Sequence, residues 1–377
     1  MRYSPRSIFN NVVFLLLATI IAMVTIEFGY RIYIGHKPAK FGAFTSYIEV
    51  AKAQGWTLEE AKNHIADNAT HNRLTYWEYY LYSTAPRKSK DAEFTSYFSA
   101  RATPDSLPIK SARNIIWMFG GSTMQNLETT DRLTIANTVA KTLNPAAGVA
   151  VLNFGVGSFH STLELIKFHD LLRRVKRSEH PKVAVFYDGF NDASHSFNFG
   201  PGNLQSDLSN KLAALVEGDY QTLLIYSGSQ LMSRYSKVWE KYISPRIQAA
   251  LFSKLRGEKG DVNHAVAVYL MNQKMIEATC DQFNIRCLFV LQPLLATKAT
   301  SNPFERKLLL EQDPALIKYT REFYDGVRKQ CEKKSNFIDL SGVLDGQHGP
   351  DFYDFGHTGP FSGQVIGKAI GRRIQLH

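Results

Sequence analysis

Four short segments carry residues whose types and order could perform acyl transfer. Ser122 lies in "GGSTMQN" (120–126), directly after the apolar run "NIIWMF". A hydroxyl nucleophile needs exposure on a tight turn, and glycines permit such a turn. Gly157 and Ser158 lie in "LNFGVGSFHS" (152–161), where backbone N–H groups could approach a reacting carbonyl. Asn191 lies in "VFYDGFNDA" (185–193); its amide can donate to an oxyanion without titrating. The flanking Asp188 and Asp192 are acids or helix caps, with capping the commoner job for either. In "DFYDFGHTGPFSG" (351–363), Asp354 precedes His357 by three residues. In a turn, that spacing sets the carboxylate beside one imidazole nitrogen and leaves the other free to take a serine proton.

The elements that must position these residues are legible from about residue 112. Apolar runs at 115–119, 149–154, 183–187, 287–291 and 337–340 alternate with helical patterns near 130–143, 161–176, 264–284, 315–333 and 361–375. Strands rich in Val, Ile, Leu and Phe with intervening helices predict a parallel sheet covered on both faces. The expectation is an α/β, flavodoxin-like, doubly wound parallel five-stranded sheet. Sites in such folds lie at the carboxyl ends of strands, where these segments fall.

In that order and company, the segments resemble the SGNH hydrolase superfamily, the GDSL-like esterases. "FGGSTMQN" resembles the first block of that family, "GFND" its Gly-x-Asn-Asp block and "DFGH" its terminal Asp-x-x-His block. The resemblance covers roughly residues 112–377. It implies the SGNH hydrolase fold, Ser122 as nucleophile, His357 as base and Asp354 as orienting acid. It also implies an oxyanion hole from Ser122, Asn191 and either Gly157 or Ser158. The first block reads Gly-Gly-Ser where the family has Gly-Asp-Ser, and the family's second-block glycine falls at Ser158. His160 and His195, near the expected site, are candidate substrate contacts. No cofactor is implied, and the carboxylates and histidines do not repeat at metal-ligand spacings.

The N-terminus supplies the clearest topological signal. Residues 12–26 are free of charge and almost wholly apolar. A helix over them rises roughly 22 Å, so crossing a membrane requires flanking residues such as Ile8, Phe9, Phe28 and Tyr30. A cleaved signal peptide is the competitor; the lack of a clean small-x-small site favours an uncleaved anchor. A short N-terminal tail stays inside, so the bulk of the chain is expected in the periplasm or outside the cell.

The domains expected are a signal anchor over 1–35, a lead-in over 36–111 and the hydrolase-like domain over 112–377, with a helical insertion at 193–262. In the lead-in, Thr57 and Glu60 are spaced as a capping box. In the insertion, 206–218, 227–243 and 246–257 read as extra helices that could form a lid or substrate wall.

The net charge of +10 is spread without a basic block, so nucleic acid is not indicated, whereas an anionic membrane or polymer suits it. Three cysteines, Cys280, Cys287 and Cys331, allow one disulfide and fit no zinc pattern. The expected function is hydrolysis of an acyl ester, O-acetyl foremost, of a cell-envelope or extracellular carbohydrate; a lipid ester is the other substrate class. Two alternatives stand beside it. One is an O-acyltransferase using the same triad for an exopolysaccharide. The other is a catalytically silent domain that binds envelope polymer.

Overall fold

The computed structural model describes residues 5–36, 42–71, 73–201, 212–252, 260–347 and 349–376. The chain divides into two compact units. One contains 1–41 and 204–256; the other contains 42–203 and 257–377.

The larger unit is built on a five-stranded parallel sheet: β1 Asn114–Gly120, β2 Val149–Asn153, β3 Val183–Asp188, β4 Arg286–Leu291 and β5 Phe337–Asp339. The strand order is β2-β1-β3-β4-β5, the flavodoxin-like doubly wound order. Alternate residues of each strand feed opposite layers. Ile116, Met118, Val183, Val185, Leu288 and Val290 pack under helices α1 (Ile135–Ala147) and α6 (Ser362–Gly371). Ile115, Trp117, Phe119, Ala184, Phe186 and Phe289 pack under α2 (Ser161–Arg174) and α4 (Val262–Phe283). Helices α3 (Phe190–Phe199) and α5 (Pro314–Cys331) close a third cluster around Leu291, Tyr269 and Phe323. Each apolar run expected as a strand is one, with ends within two residues.

The lead-in residues 42–111 belong to this same unit. Helices Gly42–Ala53 and Leu58–His71 are followed by the hairpins Leu74–Trp77/Leu81–Thr84 and Arg87–Lys88/Glu93–Phe94. The capping box forms: Thr57 N donates to Glu60 Oε2 at 2.7 Å and Glu60 N donates to Thr57 Oγ1 at 3.1 Å. In the first hairpin Tyr80 is buried and stacked on Trp77, whereas Tyr76 and Tyr79 are exposed. Cys280 and Cys287 form a disulfide joining the end of α4 to β4, and Cys331 is a buried free thiol.

The smaller unit contains the helix Pro5–His36, whose stretch Val13–Tyr33 is long and apolar enough to cross a membrane. Within this unit, Glu27 accepts hydrogen bonds from Ser236 Oγ at 2.7 Å and Lys237 N at 2.9 Å, and Arg31 donates to Tyr235 O at 2.8 Å. These contacts seat the junction between the helices Tyr220–Tyr235 and Ser244–Phe252. Of the stretch 193–262 expected as an insertion, 204–256 falls in the smaller unit and the rest in the larger. Of its expected helices, 227–243 is helical except at Ser236, while much of 206–218 and of 246–257 lies outside the described residues.

Candidate active site

The site is assembled at the carboxyl edge of the sheet. β1 ends in Gly120, and a four-residue helix, Ser122–Gln125, starts directly after Gly121. This places the Ser122 N–H at a helix start, with the side chain at the head of the turn. Gly121 is demanded by close approach. A Cβ there would collide with Nδ2 of Asn191 and lie 2.8 Å from Phe159 O. The segment after β2 runs alongside: Val156 N donates to Gly120 O at 3.0 Å, which carries Gly157 and Ser158 past the end of β1. Ser158 takes a positive φ of 65°.

The four blocks meet. His357 Nε2 lies 2.7 Å from Ser122 Oγ, and His357 Nδ1 lies 2.8 Å from Asp354 Oδ2. The other Asp354 oxygen accepts from the N–H groups of Gly356 and His357 at 2.8 and 2.7 Å. One carboxylate thus fixes both the ring and its own turn. Asn191 Nδ2 donates to Phe159 O at 2.6 Å, so one amide hydrogen orients the side chain and the second is available to a ligand.

Burial works against a charged His357, but the charge and hydrogen bond of Asp354 and the charge of Glu128 more than offset it. The imidazole is raised to about 9. Asp354 is itself buried, which opposes ionisation, yet His357 and the two backbone donors hold it below the usual carboxylate range. Phe190 meets the His357 ring edge-on at 5.8 Å and Tyr353 stacks on it at 5.8 Å. Gly356 keeps this contact open, because a Cβ there would lie 2.6 Å from the Phe190 ring.

Other expected residues stand elsewhere. His160 and His195 are 2% and 7% exposed and pack on each other with ring centroids 5.4 Å apart. Burial pushes the His195 imidazole down to about 4. Asp192 caps: its carboxylate accepts from Ser161 N at 3.2 Å and Ser161 Oγ at 2.5 Å, at the first turn of α2. Asp188 is buried, and burial with the neighbouring Asp192 charge raises its carboxyl well above the usual range. Among the described residues, no three His, Cys, Asp or Glu side chains converge as metal ligands would.

Three supports had no signature in the sequence. Arg101 is buried and donates to the carbonyls of Gln125 (2.7 Å), Asn126 and Thr129 (2.6 Å), while its Nε pairs with Asp131 at 2.8 Å. Lys298 is buried against Glu305 (2.7 Å) and Asp351 (2.9 Å), and Glu305 accepts from the N–H groups of Asp351 and Phe352. This network anchors the start of the segment that bears Asp354 and His357. Glu128 is the third, a buried carboxylate whose Oε1 lies 3.7 Å from His357 Nε2.

No protein-family model matches the sequence, and no curated protein does. The chain is similar in its course to several solved structures. One is a protein described as lipolytic and of the G-D-S-L family from Desulfitobacterium hafniense DCB-2, at 10% identity, 70% of this chain, 100% of that chain and a TM-score of 0.38. LAE5, an alpha/beta hydrolase enzyme from the metagenome of Lake Arreo, Spain, is 12% identical over 70% of this chain and 95% of its own, with a TM-score of 0.39. Axe2, an acetylxylan esterase from Geobacillus stearothermophilus, is 11% identical over 71% of this chain and 96% of its own, with a TM-score of 0.35.

Proposed function

We propose that this chain is a serine esterase of the SGNH type. The single observation that carries the reading is the continuous relay from Ser122 Oγ through His357 to Asp354, at 2.7 and 2.8 Å. A surface Asp-x-x-His turn has no reason to end on a serine at the head of a strand-to-helix turn 235 residues away.

In this reading Ser122 Oγ bonds to the acyl carbon as its proton passes to His357 Nε2. Asp354 holds the imidazole in the tautomer that leaves Nε2 free to accept, then pairs with the imidazolium. The oxyanion is held by the Ser122 N–H, the Gly157–Ser158 loop and the second Asn191 amide hydrogen. The imidazolium then protonates the departing alkoxide, and water repeats the sequence to release the acid. The substrate is an acyl ester, O-acetyl foremost, of an envelope or extracellular carbohydrate. The apolar stretch Val13–Tyr33 and the positive net charge support work beside a membrane on an anionic polymer. In this reading the N-terminal helix anchors the catalytic unit on the periplasmic or outer side.

The test is hydrolysis of a panel of acetyl and longer acyl esters by the wild type and Ser122→Ala. Loss of hydrolysis by about 10³-fold or more in the variant is expected. Equal rates would remove Ser122 from the reaction.

A further inference from the structure

The loop that follows the nucleophile is fixed far beyond what a connection needs. The helix Ser122–Gln125 ends at Asn126, whose positive φ of 61° reverses the chain. Every backbone carbonyl over the next turn is then bound. Arg101 takes those of Gln125, Asn126 and Thr129. His64 Nε2 lies 2.8 Å from Leu127 O, to which Asn68 also donates at 2.6 Å. The Tyr47 hydroxyl donates to Glu128 O at 2.8 Å. These donors come from separate parts of the lead-in, and together they hold one side chain, Glu128, in place.

Glu128 is 8% exposed. It accepts from the Tyr353 hydroxyl at 3.2 Å and from Asn126 Nδ2 at 3.3 Å, both long contacts to neutral donors. Its cationic neighbour among the described residues is His357, with Nε2 3.7 Å from Oε1. Arg101 does not serve Glu128, since its donors are engaged by carbonyls and Asp131. A buried carboxylate with only weak neutral donors is costly unless a positive charge stands beside it. The charge that arises here is the imidazolium.

We propose that Glu128 is a positioning residue of the site, facing the Nε2 side of His357 and holding the imidazolium opposite Asp354 on the Nδ1 side. This rests on the esterase reading for its consequence in catalysis. When Ser122 Oγ bonds to the acyl carbon, its proton forms the Nε2–H of an imidazolium paired with two carboxylates. When the ester C–O bond breaks, that proton leaves with the alkoxide. Two carboxylates also keep His357 protonated to higher pH than one, in line with its rise to about 9. The base form is then scarce at neutral pH, and kcat/KM should climb through an alkaline limb.

The groups facing the ring are accounted for. Asp354 and Tyr353 belong to its own segment and Glu128 to the loop after Gln125. Phe190 of α3 is apolar. Behind Tyr353 stands Tyr47, with His64 stacked on it and paired with Asp91. Burial, with the Glu128 and Asp91 charges, pushes the Tyr47 phenol far above its usual range, so it stays neutral.

The experiment is an NMR titration of the His357 ring in the full chain carrying Ser122→Ala, with and without Glu128→Gln, alongside the pH profile of kcat/KM with Ser122 intact. Removing the Glu128 charge should lower the His357 midpoint by about one pH unit and move the rate limb with it. Tyr353→Phe keeps the stacked ring and removes one holder of Glu128, so it should give a smaller shift in the same direction. It serves where Glu128→Gln does not fold. Unchanged His357 midpoints in the variant that folds would overturn the proposal. A shifted midpoint in a protein without esterase activity would contradict the esterase reading and leave the pairing of Glu128 with His357 standing.

Discussion

Asn191 meets two demands with one amide. It donates to Phe159 O at 2.6 Å, and its Nδ2 occupies the space that a side chain at position 121 would fill. The second glycine of "GGST" and the asparagine of "GFND" are therefore one feature seen from two loops. Asn191→Ala should lower kcat by about 10²–10³-fold, the usual consequence of deleting one oxyanion donor, with little change in melting temperature. Steady-state kinetics beside a thermal melt reads both. Ser122, Asn191, Asp354 and His357 were legible because each belongs to a short block with its own spacing. Glu128 was not. It reaches His357 only through the reversal at Asn126, and no local spacing encodes a contact 229 residues apart in sequence. The burial of His160 and His195 was likewise not legible, since proximity in sequence to a site loop does not report a ring's exposure.

At the scale of elements, the strands were the easiest to read. Buried parallel strands are continuous apolar runs, and these fixed β1 to β5 within two residues. The lead-in was harder. Its strands span two to four residues and carry little periodic signal, yet lead-in side chains bind the backbone carbonyls of the loop after the nucleophile. Buried charge was the least legible, because Arg101, Lys298 and Glu305 look like surface residues until their partners are known. The Lys298 network gives the element-scale prediction. Lys298→Met would leave Glu305 and Asp351 buried without their cation, and should cost about 3–5 kcal/mol in chemical denaturation. A loss below about 1 kcal/mol would show that the segment 351–357 is held by other contacts. The carbonyl-binding role of Arg101 explains why its segment, in isolated bridges to Phe94 and Asn153, lies so close to the nucleophile loop.

The whole molecule joins a doubly wound α/β unit to a helical unit that bears a membrane-length apolar helix. The sheet order places the ends of β1, β2 and β3 side by side, which gathers the first three blocks, while the segment after β5 returns to set His357 against Ser122. The apolar helix was legible from its composition. The seating of 235–238 on Glu27 and Arg31 was not, since it depends on one carboxylate capping a distant helix junction. The central claim is that Ser122 is a nucleophile activated by His357. Its most direct measurement is labelling of the folded chain with a serine-directed alkyl phosphonate, followed by mass-spectrometric mapping of the adduct. One phosphonate on Ser122 is expected, its formation strongly slowed in His357→Ala. Absence of the adduct in folded protein, or equal labelling in the two proteins, would contradict it.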